Sequence, residues 1–183
     1  MKPSRLTVVR PSALRRGVPH LKQNYTISRE PTNEHYYHLI DFVSRNTRRF
    51  LLIIQPQNKL TKNCETVLNE LNPFLIIQKE VTEWPGTKSS SDQAVMAYEY
   101  QISESCLAII KRVSHSLYEW EQPNLPEDIA FLRETKGAML TTISHERDAY
   151  LSLSDAEYNE LIDYDHYFQS ILKHDPDDWK GRN

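Results

Sequence analysis

Apolar positions along the chain recur at two spacings, and the spacing changes at prolines and glycines. After Pro31, the residues Tyr36, Leu39, Ile40 and Val43 follow the i, i+3, i+4, i+7 pattern of a helix with one buried face. Proline suits the start of such a helix, because the N–H it lacks has no partner in the first turn. Phe50 to Ile54 is a continuous apolar run closed by Pro56, which predicts a strand buried on both faces. Leu60, Cys64, Val67, Leu68 and Leu71 return to helical spacing and stop ahead of Pro73. The segment FLIIQKEVTEW reads as a strand ending in the turn Trp84-Pro85-Gly86-Thr87. In AVMAYEYQI, the positions Val95, Ala97, Glu99 and Gln101 alternate with Met96, Tyr98, Tyr100 and Ile102. That alternation predicts a half-buried strand, with helix as the alternative. Ser103 is placed to cap a helix whose stripe is Cys106, Leu107, Ile110, Val113 and Leu117.

The stretch LPEDIAFLRETKGAMLTTISHE, residues 125–146, predicts a β-hairpin turning near Gly137. Facing residue numbers in a hairpin have a constant sum. A four-residue loop, 134–137, sets Asp128 opposite Ile143, and a two-residue Lys136-Gly137 loop sets it opposite His145. Either register brings Glu127 and Asp128 to the same open end as Ser144, His145 and Glu146. AYLSLS follows as a further strand. Ser154 and Glu157 then form a Ser-x-x-Glu capping box ahead of Leu161, Ile162, Tyr164 and Phe168. The order α-β-α-β-β-α-β-β-β-α predicts an α+β fold, with α/β as the alternative. In it a mixed sheet of about five to six strands packs against about four helices, with a C-terminal β-hairpin region. The predicted organisation is a peripheral basic arm (1–24), a single domain (25–172) and a polar tail (173–183).

Composition changes this picture little. A chain of 183 residues suits one domain, and ten tyrosines with three tryptophans argue against global disorder. The two cysteines, Cys64 and Cys106, sit among apolar neighbours and read as small buried hydrophobes rather than a disulfide framework. A reducing cytoplasm is the simplest home. No stretch approaches the roughly 18 apolar residues of a membrane span, and the first residues lack the apolar region of a secretory signal.

Charge is more informative. The net charge of −3 hides an asymmetry: residues 1–29 carry seven bases and no acid, whereas residues 144–183 carry ten acids against four bases. Arg5, Arg10, Arg15 and Arg16 are candidates for salt-sensitive nucleic-acid backbone contacts. Glu157, Glu160, Asp163 and Asp165 are candidates for an acidic face that steers a basic protein partner.

The corner formed by Glu127, Asp128, His145 and Glu146 is the candidate for chemistry. A carboxylate beside an imidazole orients it, raises its pKa and makes a general base or a metal ligand. The competing expectation is structural: Asp128 binds backbone N–H groups in the Pro126 turn and pairs with His145. There is no His-Glu-x-x-His, no paired-cysteine motif and no Gly-x-Ser-x-Gly elbow, and four glycines leave little for a phosphate cradle. His35 and His38 stand three apart on the first helix with Glu34 and Asp41 nearby, a spacing compatible with ligation and equally common on solvated faces. The sequence therefore assigns neither a metal site nor a cofactor. Trp84 and Trp120 are expected to plug the ends of the core.

EWPGT, together with LYEWEQPNLPEDIAFLRETKGAMLTTISHERDAYLSLSDAE, resembles a group of small uncharacterised bacterial proteins marked by Trp-Pro-Gly-Thr, Leu-Pro-Glu-Asp and Ser-His-Glu motifs. The likeness covers residues 50–165 and leaves the basic arm outside. It implies an immunity or defence-accessory role and assigns no catalytic residue. The expectation is thus a cytoplasmic, non-enzymatic protein-binding module, its partner a basic toxin or defence effector. A hydrolase or metal-dependent enzyme at the hairpin corner is the second reading, and nucleic-acid binding through the arm the third.

Overall fold

A computed structural model of the protein describes residues 22–89, 93–135 and 137–175. The elements are β1 (Gln23–Ile27), α1 (Glu34–Asn46), β2 (Arg49–Ile54), α2 (Lys62–Leu71), β3 (Leu75–Val81), β4 (Glu83–Trp84), β5 (Thr87–Lys88) and β6 (Val95–Gln101). They continue with α3 (Glu104–Val113), β7 (Glu127–Leu132), β8 (Ala138–Ile143), β9 (Asp148–Leu153), α4 (Asp155–Tyr164), α5 (Tyr167–Ile171) and β10 (Leu172–Asp175). The α+β class is as expected.

Helices α2, α3 and α4 form where one-sided periodicity meets a capping side chain, whereas α1 has no side-chain cap. Thr61 and Ser103 accept the N–H groups of Cys64 and Cys106 at 3.3 and 3.2 Å, starting α2 and α3. Ser154 and Glu157 close the predicted capping box at α4. Helix α1 buries Tyr36, Leu39, Ile40, Phe42 and Val43. The predicted stripe of α3 overruns its helix: Leu117 belongs to a separate 3-10 turn, Leu117–Glu119.

The sheet differs from the expectation in size and in sense. Eight strands pair in the order β10-β1-β9-β8-β7-β2-β6-β3, every pair antiparallel, and β4 and β5 form a hairpin of their own. It is therefore not a mixed sheet of five to six strands. Strand β6 inserts between β2 and β3, so the two strands joined through α2 are not neighbours. Strands β1 and β10 were not expected. They pair with each other, Tyr25 facing His174, and β1 pairs on its other side with β9, where Tyr25 faces Leu151. Neither carries enough apolar residues for a local pattern, because such short strands are specified by long-range pairing and burial. The sheet thus takes in Gln23 and Asn24 at one end and Lys173, His174 and Asp175 at the other, residues assigned by sequence to the arm and tail.

Alternation along the strands divides the core. Phe50 and Leu52 join the main cluster under α1, α2 and α3, where Phe50 stacks on Tyr100 at 5.1 Å. Leu51 and Ile53 point the other way into a smaller cluster with Val95, Ala97 and Ala130, partly covered by Trp84. Trp120 is fully buried and donates its indole N–H to Tyr36 Oη at 2.9 Å. It plugs the main core as expected, whereas Trp84 covers the second face. Cys64 and Cys106 are free and buried. Burial pushes their thiols up to about 11 and about 12, so neither is a nucleophile near neutral pH. Among the described residues, no helix is long and apolar enough to cross a membrane.

Candidate functional site

Phe131 faces Leu140, as the four-residue loop requires, but the register shifts before the turn: Leu132 faces Ala138, the Arg133 N–H donates to the Gly137 carbonyl at 3.1 Å, and Gly137 is in the left-handed region at φ +106°. The predicted convergence at its open end is real for Asp128 and Ser144, and Trp84 and Gln55 join it from outside the hairpin. Asp128 adopts φ +56°, which breaks the regular pairing of β7 and turns its fully buried carboxylate inward. Its Oδ1 accepts the backbone N–H of Ser144 at 2.8 Å, and its Oδ2 accepts the indole N–H of Trp84 at 2.8 Å. Its own N–H donates to the carbonyl of Trp120 at 3.2 Å. One residue therefore ties together the end of β8, the β4–β5 hairpin and the loop after Trp120.

Glu127 is also buried and accepts a hydrogen bond from the Gln55 side chain. Burial raises the carboxyls of both Glu127 and Asp128 above their usual range. The bonds from Gln55, and from Ser144 and Trp84, only partly offset it. His145 stands apart in the 3-10 turn Ser144–Glu146. It is 46% exposed, and its Nε2 lies 3.8 Å from Glu146 Oε1. Asp128 therefore pairs with Ser144 and Trp84 where the structural expectation placed His145 and the Pro126 turn. A cleft of about 220 Å³ opens beside this corner, between the Gly86–Lys88 turn and Ile143, Glu146, Asp148 and Tyr150. Glu127 and Asp128 do not line it. A general base must reach the proton it takes, and Asp128 has both oxygens occupied and no exposed surface. The geometry is that of a clamp.

Two of the acids assigned to a partner face are engaged inside the chain. Glu157 accepts both guanidinium nitrogens of Arg133, at 2.7 and 3.0 Å, and the N–H of Ser154 at 2.8 Å. Arg133 also reaches the carbonyl of Ser152 at 2.7 Å. Burial works to raise the Glu157 carboxyl, but the hydrogen bonds and charge of Arg133, with the Ser154 cap, hold it below the usual range. A depressed carboxyl stabilises the fold above the ordinary glutamate pKa, and that contribution is lost as pH falls through the folded value. Glu157→Gln is accordingly expected to cost about 2 kcal/mol at neutral pH. The gap to the parent protein should close in acid; urea melts across a pH series measure it. A gap that stayed constant with pH would contradict the assigned pair. Glu160 lies 3.7 Å from Arg45, with half its side chain exposed, and Asp163 is exposed.

Asp165 has moved furthest from its expected role. Its Oδ2 lies 2.6 Å from His35 Nδ1 and 3.0 Å from His38 Nδ1, and its Oδ1 accepts the N–H of Tyr167 at 3.0 Å. The two histidines were visible as an i, i+3 pair. Their carboxylate comes from the α4–α5 junction, more than 120 positions away, and nothing local announces it. The exposed edge of β3 was likewise not anticipated: Ile76 and Ile77 are 48% and 44% exposed. Arg5, Arg10, Arg15 and Arg16, the nucleic-acid candidates, lie outside the described residues.

Compared with protein-family models, with curated proteins and with solved structures, the chain matches none of them.

Proposed function

We propose that this protein is a non-enzymatic protein-binding module that receives an extended segment of its partner along the free edge of β3. The observation that carries the reading is the pair Ile76 and Ile77, two large apolar side chains left exposed on a strand that, among the described residues, pairs only with β6. An unpaired edge offers a row of N–H and C=O groups to another chain, and sheets ordinarily blunt it with short length and charge. The opposite edge, β10, follows that rule in its charge: its described residues carry Lys173, His174 and Asp175. Strand β3 spans seven residues; its register with β6 shifts between Leu75 and Ile77, which puts Ile76 at a bulge, and its charges, Lys79 and Glu80, sit toward one end, leaving the isoleucines open.

Adding a strand at such an edge draws affinity from main-chain hydrogen bonds and specificity from pockets for alternate side chains. A cleft of about 400 Å³ between α2 and β3, lined by Leu68, Asn69, Asn72, Leu75, Gln78 and Tyr98, supplies such a pocket. The occupied carboxylates of the hairpin corner favour this reading over an enzyme. Glu160 and Asp163 remain on the surface to speed the approach of a basic partner. The partner in this proposal is a basic protein such as a toxin or defence effector.

The test is a display library of extended peptides. Selected peptides should protect β3 amides from hydrogen exchange and weaken by about tenfold or more on Ile76→Lys/Ile77→Lys, with melting temperature unchanged. Peptides that bind the double variant as well as the parent protein would refute the assignment of the edge.

A further inference from the structure

We infer that His35, His38 and Asp165 form a binding site for a divalent transition-metal ion of the zinc type, independent of the β3 edge. Each residue offers one ligand atom, and the three atoms lie within 4.8 Å of one another. Among the described residues, no other group of three or more His, Cys, Asp or Glu side chains converges in this way.

The donor set selects the class of ion. Two imidazole nitrogens and one carboxylate oxygen suit zinc and its first-row neighbours, whereas calcium and magnesium require shells made largely of oxygen. With bonds of about 2.0–2.2 Å, ligand atoms around a four-coordinate zinc stand about 3.3 Å apart. The two nitrogen–oxygen separations, 2.6 and 3.0 Å, need to open by about 0.7 and 0.3 Å to admit the ion, the first by a shift of the half-exposed His35 ring. The ion takes the place of the hydrogens that now join each Nδ1 to Oδ2.

The surroundings hold the ligands as a metal site needs. Outer groups that fix the tautomer of a ligating histidine and the tilt of a ligating carboxylate are a regular part of such sites. Glu34 Oε1 lies 3.9 Å from His38 Nε2, on the side where the proton must sit if Nδ1 is to ligate. The Tyr167 N–H fixes Asp165 through its other oxygen. The ring of His35 lies flat on Tyr167, with centroids 3.8 Å apart and planes 7° from parallel. The guanidinium of Arg45, the nearby cation, lies over the Tyr164 ring at 4.7 Å and close to Glu160, so its charge is partly answered there. Exposure of 38% for the His35 side chain and 29% for that of His38 leaves a way in for the ion and room for water at its fourth position. The ion links α1 to the α4–α5 junction, beside the Arg45–Glu160 ion pair and the Arg45–Tyr164 contact that already join α1 to α4.

Zinc binding by the full-length, chelator-treated protein, followed by calorimetry, decides the matter, together with the visible d–d absorption of Co2+ as a report on coordination. One ion per chain is expected, with a Co2+ spectrum of low coordination number. His38→Gln and Asp165→Asn should each weaken zinc about 100-fold, and Glu34→Gln about tenfold. Asp165→Asn keeps a carbonyl for the Tyr167 N–H, and native circular dichroism of each variant guards against simple unfolding. His145→Gln and the β3 double variant should bind zinc as the parent does, so failure here is distinguishable from failure of the peptide test. Absence of binding at zinc concentrations far above that of the protein would overturn the site. So would binding that survives His38→Gln: the cluster would then be hydrogen-bonded side chains only.

Discussion

Asp128→Ala is expected to cost about 3–5 kcal/mol, a drop of roughly 10 °C in melting temperature. Two donors, the buried Ser144 N–H and the indole N–H of the half-buried Trp84, lose their acceptor together. Each orphaned donor costs about 1–3 kcal/mol, more than a hydrogen bond ordinarily contributes, because water cannot replace the lost partner. The backbone adds its share, since alanine at φ +56° carries a Cβ clash that aspartate and asparagine accept more readily. Asp128→Asn separates the two contributions. Asparagine tolerates the left-handed conformation, but its amide accepts from one donor and turns its NH2 toward the other, so an intermediate loss is expected. Combining Asp128→Ala with Trp84→Phe should cost less than the sum of the two single changes, because both remove the same bond. Full additivity, or an alanine cost below about 1 kcal/mol, would show that the corner is not a clamp.

Gly86→Ala is the second large effect, expected at about 2–4 kcal/mol. Gly86 sits at φ +87° in the turn between β4 and β5, and an added Cβ lands 2.7 Å from Thr141 Cγ2 and 3.1 Å from Ile143 Cγ1. The obstacle cannot swing aside easily, because Thr141 is a buried, β-branched residue in β8 with few rotamers open to it. Gly137→Ala is the internal control: it has φ +106° and nothing within 4 Å of the added Cβ, so it carries backbone strain alone, about 1–2 kcal/mol. Thr141→Ser removes Cγ2 and should recover part of the Gly86→Ala loss without touching the strain. Chemical denaturation of the four single and double variants gives the partition; equal costs at Gly86 and Gly137 would remove the steric argument.

The two predictions concern one arrangement. The Trp84-Pro85-Gly86-Thr87 turn folds onto the second face of the sheet, where Gly86 allows close approach and Trp84 bonds to Asp128. Tryptophan, proline and glycine in succession were legible as a turn, but the surface it packs on was not. The same division runs through the rest of the chain. Helices α1 to α4 were legible because a one-sided apolar stripe is a local signal, joined at α3 and α4 by a cap, although the stripe given for α4 runs on to Phe168 in α5. Strands β1 and β10 were not, because QNYTI and LKHD carry no pattern until each has found its partner. The hairpin register gave the right corner; it shifts between Phe131 and Leu132 near the turn, and at the open end the positive φ of Asp128 sets its carboxylate on the Ser144 N–H in place of a pairing with His145. His35 and His38 announced themselves, while the carboxylate that joins them depends on how α4 turns into α5.

The pairing of β1 with β10 has a practical corollary for handling the molecule. Asn24 stands directly across from Asp175, so the polypeptide joins and leaves the sheet at one place. In the strand order that place is the margin farthest from β3. A tether introduced ahead of β1 or behind β10 therefore pulls from the side away from Ile76 and Ile77. Immobilisation by either route leaves them facing the solution.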